Sequence, residues 1–170
     1  MHPGAFEFVG RYATNDPVTV IEIGSRDING SVRSHFPAAS WTGLDLHAGP
    51  GVDVVCDASD WAPVERAQLV ICCEVLEHCE KWRGLIHAAW RFLKPGGLLL
   101  VTCAGIGRDS HSAVDGGQLR PHEWYANLTP AAIANCLEGS GFSIRIVESN
   151  QHWHDVYAAG IKVSLPDDFT

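Results

Sequence analysis

Glu22 and Gly24 close the apolar run that starts at Val18, and two further carboxylates, Asp45 and Asp57, sit at the ends of the stretches WTGLDL and VDVVCDAS. Gly24 can adopt backbone angles closed to other residues, and its missing side chain lets a ligand approach the main chain. Asp45 follows twenty-one positions after Gly24. At that spacing and strand end a carboxylate accepts hydrogen bonds from both hydroxyls of a ribose, which points to an adenosine compound as ligand. A second group of reactive side chains lies in GIGRDSH and RPHEWYANLT. His122 or His111 can act there as a general base, because imidazole titrates near neutrality, or can cap and stack in a loop.

These residues need strands to place them. Val18, Val20, Ile21 and Ile23 form the β-branched run of a strand buried on both faces of a parallel sheet. Further strands are expected at 41–46, 52–56, 68–73, 97–103, 142–148 and 156–163, seven in all. Trp82, Leu85, Ile86, Ala89 and Leu93 share one helical face, and Lys94-Pro95-Gly96-Gly97 ends that helix. Thr129-Pro130 opens another with a hydroxyl cap and a proline at its first position, and Gly139 and Gly141 end it. Interleaved strands and helices imply an α/β fold: one Rossmann-like, doubly wound, seven-stranded, mostly parallel sheet with an antiparallel hairpin at one edge. The whole chain, 1–170, reads as one domain, with 1–17 an N-terminal segment or short lid carrying Phe6, Phe8, Val9 and Tyr12, and 18–163 the core.

Composition removes several function classes. With 170 residues and 46% hydrophobic content, the chain can bury roughly 70% of its unfolded surface without disulfides or structural metal. A formal charge of -8 opposes a phosphate backbone, so no nucleic-acid partner is expected. No apolar stretch approaches the ~20 residues of a membrane helix, and no signal core is evident, so no membrane partner and a cytoplasmic location are expected. The six cysteines include the adjacent pair Cys72 and Cys73 and no CxxC, which reads as buried free thiols. His152, His154 and Asp155 read as solvated surface, and no residue set is assigned to a metal.

EIGSRDING, GLDL, VDVVCDAS, LVICCEVLEH and FLKPGGLLLVT resemble, in order and spacing, the successive motifs of class I S-adenosylmethionine-dependent methyltransferases, particularly the small type-11 domains. The resemblance covers roughly 18–148, and EVLEH followed by a helix and KPGG is its most specific part. It implies S-adenosylmethionine as cofactor, with Glu22, Gly24 and Ser25 facing the methionine portion, Asp45 and Leu46 the ribose, and Asp57 and Ala58 the adenine. Cys73 and Glu74 would lie near the donor sulfonium. Glu77 and His78 either border the site or pack and cap the following helix. One departure stands out: the family's glycine motif has glycines where this chain has Arg26 and Ile28, with Gly30 two residues later. Such a loop accepts the cofactor if it swings outward and Asn29-Gly30 makes the tight turn ahead of a helix at Ser31.

The acceptor is expected to meet the segment Ala104 to Leu128, with Trp124 and Tyr125 as pocket walls or as core. Neither an Asn-Pro-Pro-aromatic signature nor a Pro-Cys nucleophile is present, so the partner expected is a small-molecule acceptor. Two readings compete: a methyltransferase acting by in-line transfer, and a module that binds S-adenosylmethionine without catalysis. A nicotinamide dehydrogenase lacks its GxGxxG here, and oligomeric state is not legible.

Overall fold

The structure, a computed structural model, describes residues 3–163. Its strands are β1 (Thr19–Ile23), β2 (Ser40–Asp45), β3 (Val54–Val55), β4 (Ala67–Cys73), β5 (Leu93–Ala104), β6 (Phe142–Asn150) and β7 (Asp155–Lys162). Helices α1 (Pro3–Gly10), α2 (Trp82–Phe92) and α3 (Pro130–Gly139) complete it. The seven strands form one sheet in the order β3-β2-β1-β4-β5-β7-β6. Strands β1 to β5 pair in parallel, whereas β7 runs antiparallel between β5 and β6. The expected hairpin therefore exists, and its second strand is the one inserted beside β5.

Period-two alternation assigns each central strand to two cores. Ile21, Ile23, Val70, Cys72, Leu99, Val101, Val156 and Ala158 face the layer built by α2 and α3. Val20, Leu69, Ile71, Leu100, Tyr157 and Ala159 face the other side with Phe8 and Val9 of α1 and with Val32 and Phe36. Residues 1–17 thus contribute, in their described part, a helix on the sheet, of which only Pro3 reaches the large cleft described below. Phe8 stacks on Tyr157 with ring centroids 5.1 Å apart, and both are fully buried.

Three expectations need correction. No helix starts at Ser31; Arg33–His35 make a single 3-10 turn. The ten residues from Ser31 to Ser40 are too few to repay helix nucleation, and Pro37 forbids continuation after Phe36. β3 is also shorter than expected, two residues rather than the 52–56 run. It lies at the sheet edge with one neighbour, β2. At the other boundary α2 stops at Phe92, and Leu93 already belongs to β5. Lys94 precedes a proline and is pushed to extended angles, while Gly96, at φ 76°, takes the irregularity where the β4–β5 register shifts.

Docking of α1 is open to direct measurement. Phe8→Ala should remove about 3–5 kcal/mol of stability, the usual effect of emptying a buried phenylalanine site. Urea unfolding checks this, and a loss below about 1 kcal/mol would mean that α1 is not part of the folded core.

Candidate functional site

The carboxyl ends of β1, β2, β4 and β5 meet at one edge of the sheet, where a cleft of about 1180 Å³ opens. Glu22, Gly24, Ser25, Asp45, Leu46, Asp57, Ala58, Cys73, Glu74, His111 and His122 all line it. Tertiary structure thus brings together every residue singled out for cofactor or acid–base work. Trp124 is not among them, since it packs against the α2–α3 core.

Gly24 sits at φ 73°, and a Cβ on it would run into Val75. A glycine is required there on both counts. The Gly24 and Ser25 N–H groups both donate to the Leu44 carbonyl, at 2.8 and 3.0 Å. That clamp brings the β1 turn against the end of β2. Farther along, the Asp27 N–H donates to the Pro50 carbonyl at 2.9 Å, and Asp27 Oδ1 accepts the Gly30 N–H at 2.7 Å. The loop therefore closes through an aspartate turn ending on Gly30. Ile28 is exposed, and Arg26 sends its guanidinium across to the Val114 carbonyl at 3.2 Å.

Asp45 is aimed by its surroundings. Its Oδ2 accepts the Arg26 N–H at 3.2 Å and its Oδ1 the His47 N–H at 2.9 Å. Asp57 holds a local turn, with Oδ1 accepting from the Ser59 N–H at 2.9 Å and from the Ser59 hydroxyl at 2.7 Å. Both carboxylates still lie on the cleft wall. Glu22 is differently placed: buried, with Oε2 accepting from Arg33 Nε at 3.0 Å. Burial raises its carboxyl above the ordinary range, and Arg33 counters part of that rise. The same guanidinium donates to the Gly51 carbonyl at 2.6 Å, so Glu22 and Arg33 tie β1 to the β2–β3 connection.

Buried acids gather at the floor near the end of β4. Glu74 takes a left-handed backbone angle, φ 57°, a strained position for a side-chain-bearing residue. Its Oε1 accepts from the Thr102 hydroxyl at 2.8 Å, and its Oε2 lies 3.9 Å from Arg108. Arg108 also donates to Asp155 Oδ1 at 2.7 Å. Asp155 accepts from the Tyr157 hydroxyl at 3.1 Å as well. Burial, then the Glu74 charge, pushes the Asp155 carboxyl up to about 6 against the pull of Arg108. Burial likewise raises Glu74, and it raises Glu77 strongly, with the Glu74 charge adding to the effect.

The segment after β5 folds back over this floor. Gly105 bridges Leu128, the Ala126 N–H donates to the Glu77 carbonyl at 2.9 Å, and Asn127 Nδ2 donates to the Arg108 carbonyl at 3.0 Å. His78, His111 and Tyr125 then pack as three mutually edge-on rings with centroids 4.9 to 5.3 Å apart. Burial, then His111, lowers His78 to about 4, so its ring is neutral at physiological pH. His122 is exposed on the cleft wall, and its neighbour Glu123 accepts from the Ser112 hydroxyl at 2.7 Å and the Arg120 N–H at 2.8 Å. Sequence reasoning missed Arg108 as the cation between Glu74 and Asp155. No local signal marks it, because its partners are 34 residues upstream and 47 downstream. Of His152, His154 and Asp155, expected as solvated surface, Asp155 is instead buried and directed inward to Arg108 and Tyr157.

Sheet order, glycine turn and paired strand-end carboxylates define a class I methyltransferase fold. A family model described as a methyltransferase domain matches residues 5–147. The chain belongs to that family, an S-adenosylmethionine-dependent enzyme class. No curated protein sequence matches it. Among solved structures, the Burkholderia thailandensis 1,6-didemethyltoxoflavin-N1-methyltransferase, with 1,6-didemethyltoxoflavin and S-adenosylhomocysteine bound, is similar at 15% identity. That alignment covers 95% of this chain and 78% of the other, with a TM-score of 0.72. A DhpI–S-adenosylhomocysteine complex is 20% identical over 96% of this chain and 84% of the other, TM-score 0.71. The N-methyltransferase NodS from Bradyrhizobium japonicum WM9, with S-adenosylhomocysteine, is 15% identical over 95% and 86%, TM-score 0.65. At these identities the likeness establishes the fold.

The cleft's own residues fit such a cofactor. Ser25 Oγ is buried on the cleft lining without a hydrogen-bond partner, and Asp45 presents a carboxylate already oriented by two main-chain donors. No helix among the described residues is long and apolar enough to cross a membrane.

Asp155 makes the buried acids measurable. In the folded protein it keeps a proton that the unfolded chain releases near pH 4, so its contribution to stability falls as pH rises from about 4 to about 6. Asp155→Asn removes that dependence. Relative to the parent, the variant should gain on the order of 2 kcal/mol between those pH values by urea unfolding, from a shift of about two pKa units. Parallel stability profiles would show that Asp155 titrates normally.

Proposed function

We propose that this chain transfers a methyl group from S-adenosylmethionine to a small-molecule acceptor held under the segment from Ala104 to Leu128. The observation that carries the reading is the cleft itself: the Gly24 turn clamped to Leu44, with the Asp45 and Asp57 carboxylates on the same wall. S-adenosylmethionine supplies an electrophilic methyl on a sulfonium, so the protein contributes alignment and a shaped, water-poor site. Asp45 accepts from the ribose hydroxyls, Asp57 and Ala58 meet the adenine, and exposed Leu46 offers an apolar surface beside them. Ser25 and Gly24 offer polar contact and open main chain to the methionine portion, while Glu22 acts through Arg33 in fixing the loop. Cys73 and Glu74 end β4 beside the reacting centre.

A small acceptor suits a net charge of -8 and a cleft floored by acids, both unfavourable to a polyanion. The structurally similar 1,6-didemethyltoxoflavin-N1-methyltransferase was solved with 1,6-didemethyltoxoflavin bound, which supports the same class. His122, exposed on the cleft wall, is the group we assign to receive the acceptor's proton. His111 is more restrained, with Nδ1 3.1 Å from the Asp109 carbonyl and its ring against His78 and Tyr125. A second reading, a cofactor-binding module without catalysis, has one observation in its favour. Arg26 spans the cleft to Val114 where the family has glycine.

Calorimetry with S-adenosylmethionine and S-adenosylhomocysteine tests the first step. Asp45→Ala should weaken either by about 1.5–3 kcal/mol, the range for hydrogen bonds involving charged groups, while the melting temperature without ligand holds. Equal affinity in variant and parent would place the ribose elsewhere. His122→Ala should lower methyl transfer to a found acceptor by about 10²–10⁴-fold with cofactor affinity kept within a few fold. Unchanged turnover would remove His122 from the mechanism.

A further inference from the structure

We propose that Glu77, His78 and His111 bind a divalent first-row transition ion at the acceptor end of the cleft. Their ligand atoms lie within 4.8 Å of one another. Atoms sharing an ion at bond lengths of about 2.0–2.2 Å stand roughly 3–4 Å apart, so shifts of about an ångström within the side chains close the set.

An independent observation points to a ligand. Glu77 is fully buried, and neither of its carboxylate oxygens makes a well-formed hydrogen bond, the main-chain N–H groups of Glu77 and Ala104 standing near the carboxylate without closing one. The buried Nδ1 of His78, on the adjacent residue, makes none either. Buried polar atoms are nearly always partnered, because an unmade hydrogen bond forfeits hydration without return. Three such atoms on adjacent residues of one 3-10 turn after β4, Leu76–His78, fit a site whose partner is not a protein group. His111 is prepared in the manner of a ligating histidine: its Nδ1 faces the Asp109 carbonyl at 3.1 Å, so an N–H donated there leaves the lone pair on Nε2. The Tyr125 ring, 5.1 to 5.3 Å from both imidazoles, restrains their tilt.

Two imidazoles and one carboxylate make a donor set suited to zinc, manganese, iron or cobalt rather than to calcium or magnesium, which prefer oxygen ligands. A three-ligand set leaves coordination positions open, and His78 and His111 both line the cleft. The ion's positive charge also answers the acids beside it, where Arg108 is shared between Glu74 and Asp155. Resting on the methyl-transfer reading, the site's purpose is to lower the pKa of an acceptor hydroxyl so that its proton can pass to His122. The favoured acceptor is then an oxygen nucleophile.

Cobalt(II) titration of the chelator-stripped protein tests the site through the visible d–d absorption of bound cobalt, with zinc as competitor. One cobalt per chain should bind and be displaced by zinc. Glu77→Gln and His111→Ala should each abolish the band or weaken binding at least tenfold, whereas the double variant His87→Ala/His152→Ala, remote from the cluster, should retain it. Because Glu77 is buried, circular dichroism of each variant is recorded, and half-exposed His111 carries the test if Glu77→Gln does not fold. S-adenosylhomocysteine calorimetry on the same samples separates the two readings. Cobalt binding without nucleoside binding supports the metal site and counts against methyl transfer. Nucleoside binding without the cobalt band overturns the metal site, as does a band undiminished in His111→Ala.

Discussion

Everything at the carboxyl edge of the sheet depends on the parallel registers that β1 makes with β2 and β4. Ile23 pairs with Leu44 on one side and with Cys72 on the other, so three strands end at nearly the same level. The glycine turn, Asp45 and Glu74 consequently emerge side by side. The two N–H groups on the Leu44 carbonyl extend that register one step beyond the strands and set where the loop may go. A slip of one residue would turn every side chain of β1 to the opposite core, which makes the register hard to lose and the cleft a by-product of burial.

The chain meets this requirement with few helices. α2 and α3 cover one face, but the other is closed by α1, Val32 and Phe36, and the connections on either side of β3 hold no helix. Side-chain ties replace helical packing. Arg33 links Glu22, Gly51 and the face of Trp41, whose ring lies 4.9 Å from the guanidinium carbon, and so braces the loop next to the cleft. The acidic residue of the glycine motif, Glu22, is thus held by Arg33 where it lines the cleft beside Ser25.

Acids concentrate where β4 and β5 end. Glu74, Glu77 and Asp155 are all pushed toward the protonated form by burial, and of these three Arg108 pairs with Glu74 and Asp155. Maintaining such a cluster costs stability, and the strained backbone of Glu74 adds to that cost. Structures usually bear such costs where charge or a ligand is to be managed. The folded-back segment from Gly105 to Leu128 covers part of the cluster and supplies His111.

Sequence alone determined that there are seven strands and where the central ones lie, because β-branched apolar runs are buried on both faces of a parallel sheet, and it determined Gly24 and Asp45, because a strand-end turn and a carboxylate at fixed spacing are local facts. It also determined the cap of α3, where Thr129 Oγ1 accepts the Ala132 N–H at 3.1 Å. It misread Ser31 as a helix start, since a competent turn does not reveal that too few residues follow before Pro37. Tertiary structure alone decided the rest. That Glu22 meets Arg33, that Arg108 sits between Glu74 and Asp155, and that His111 comes against Glu77 and His78 are consequences of chain return across 11 to 47 residues. No periodicity spans such separations, because they are fixed by how the sheet closes and not by neighbours in the chain.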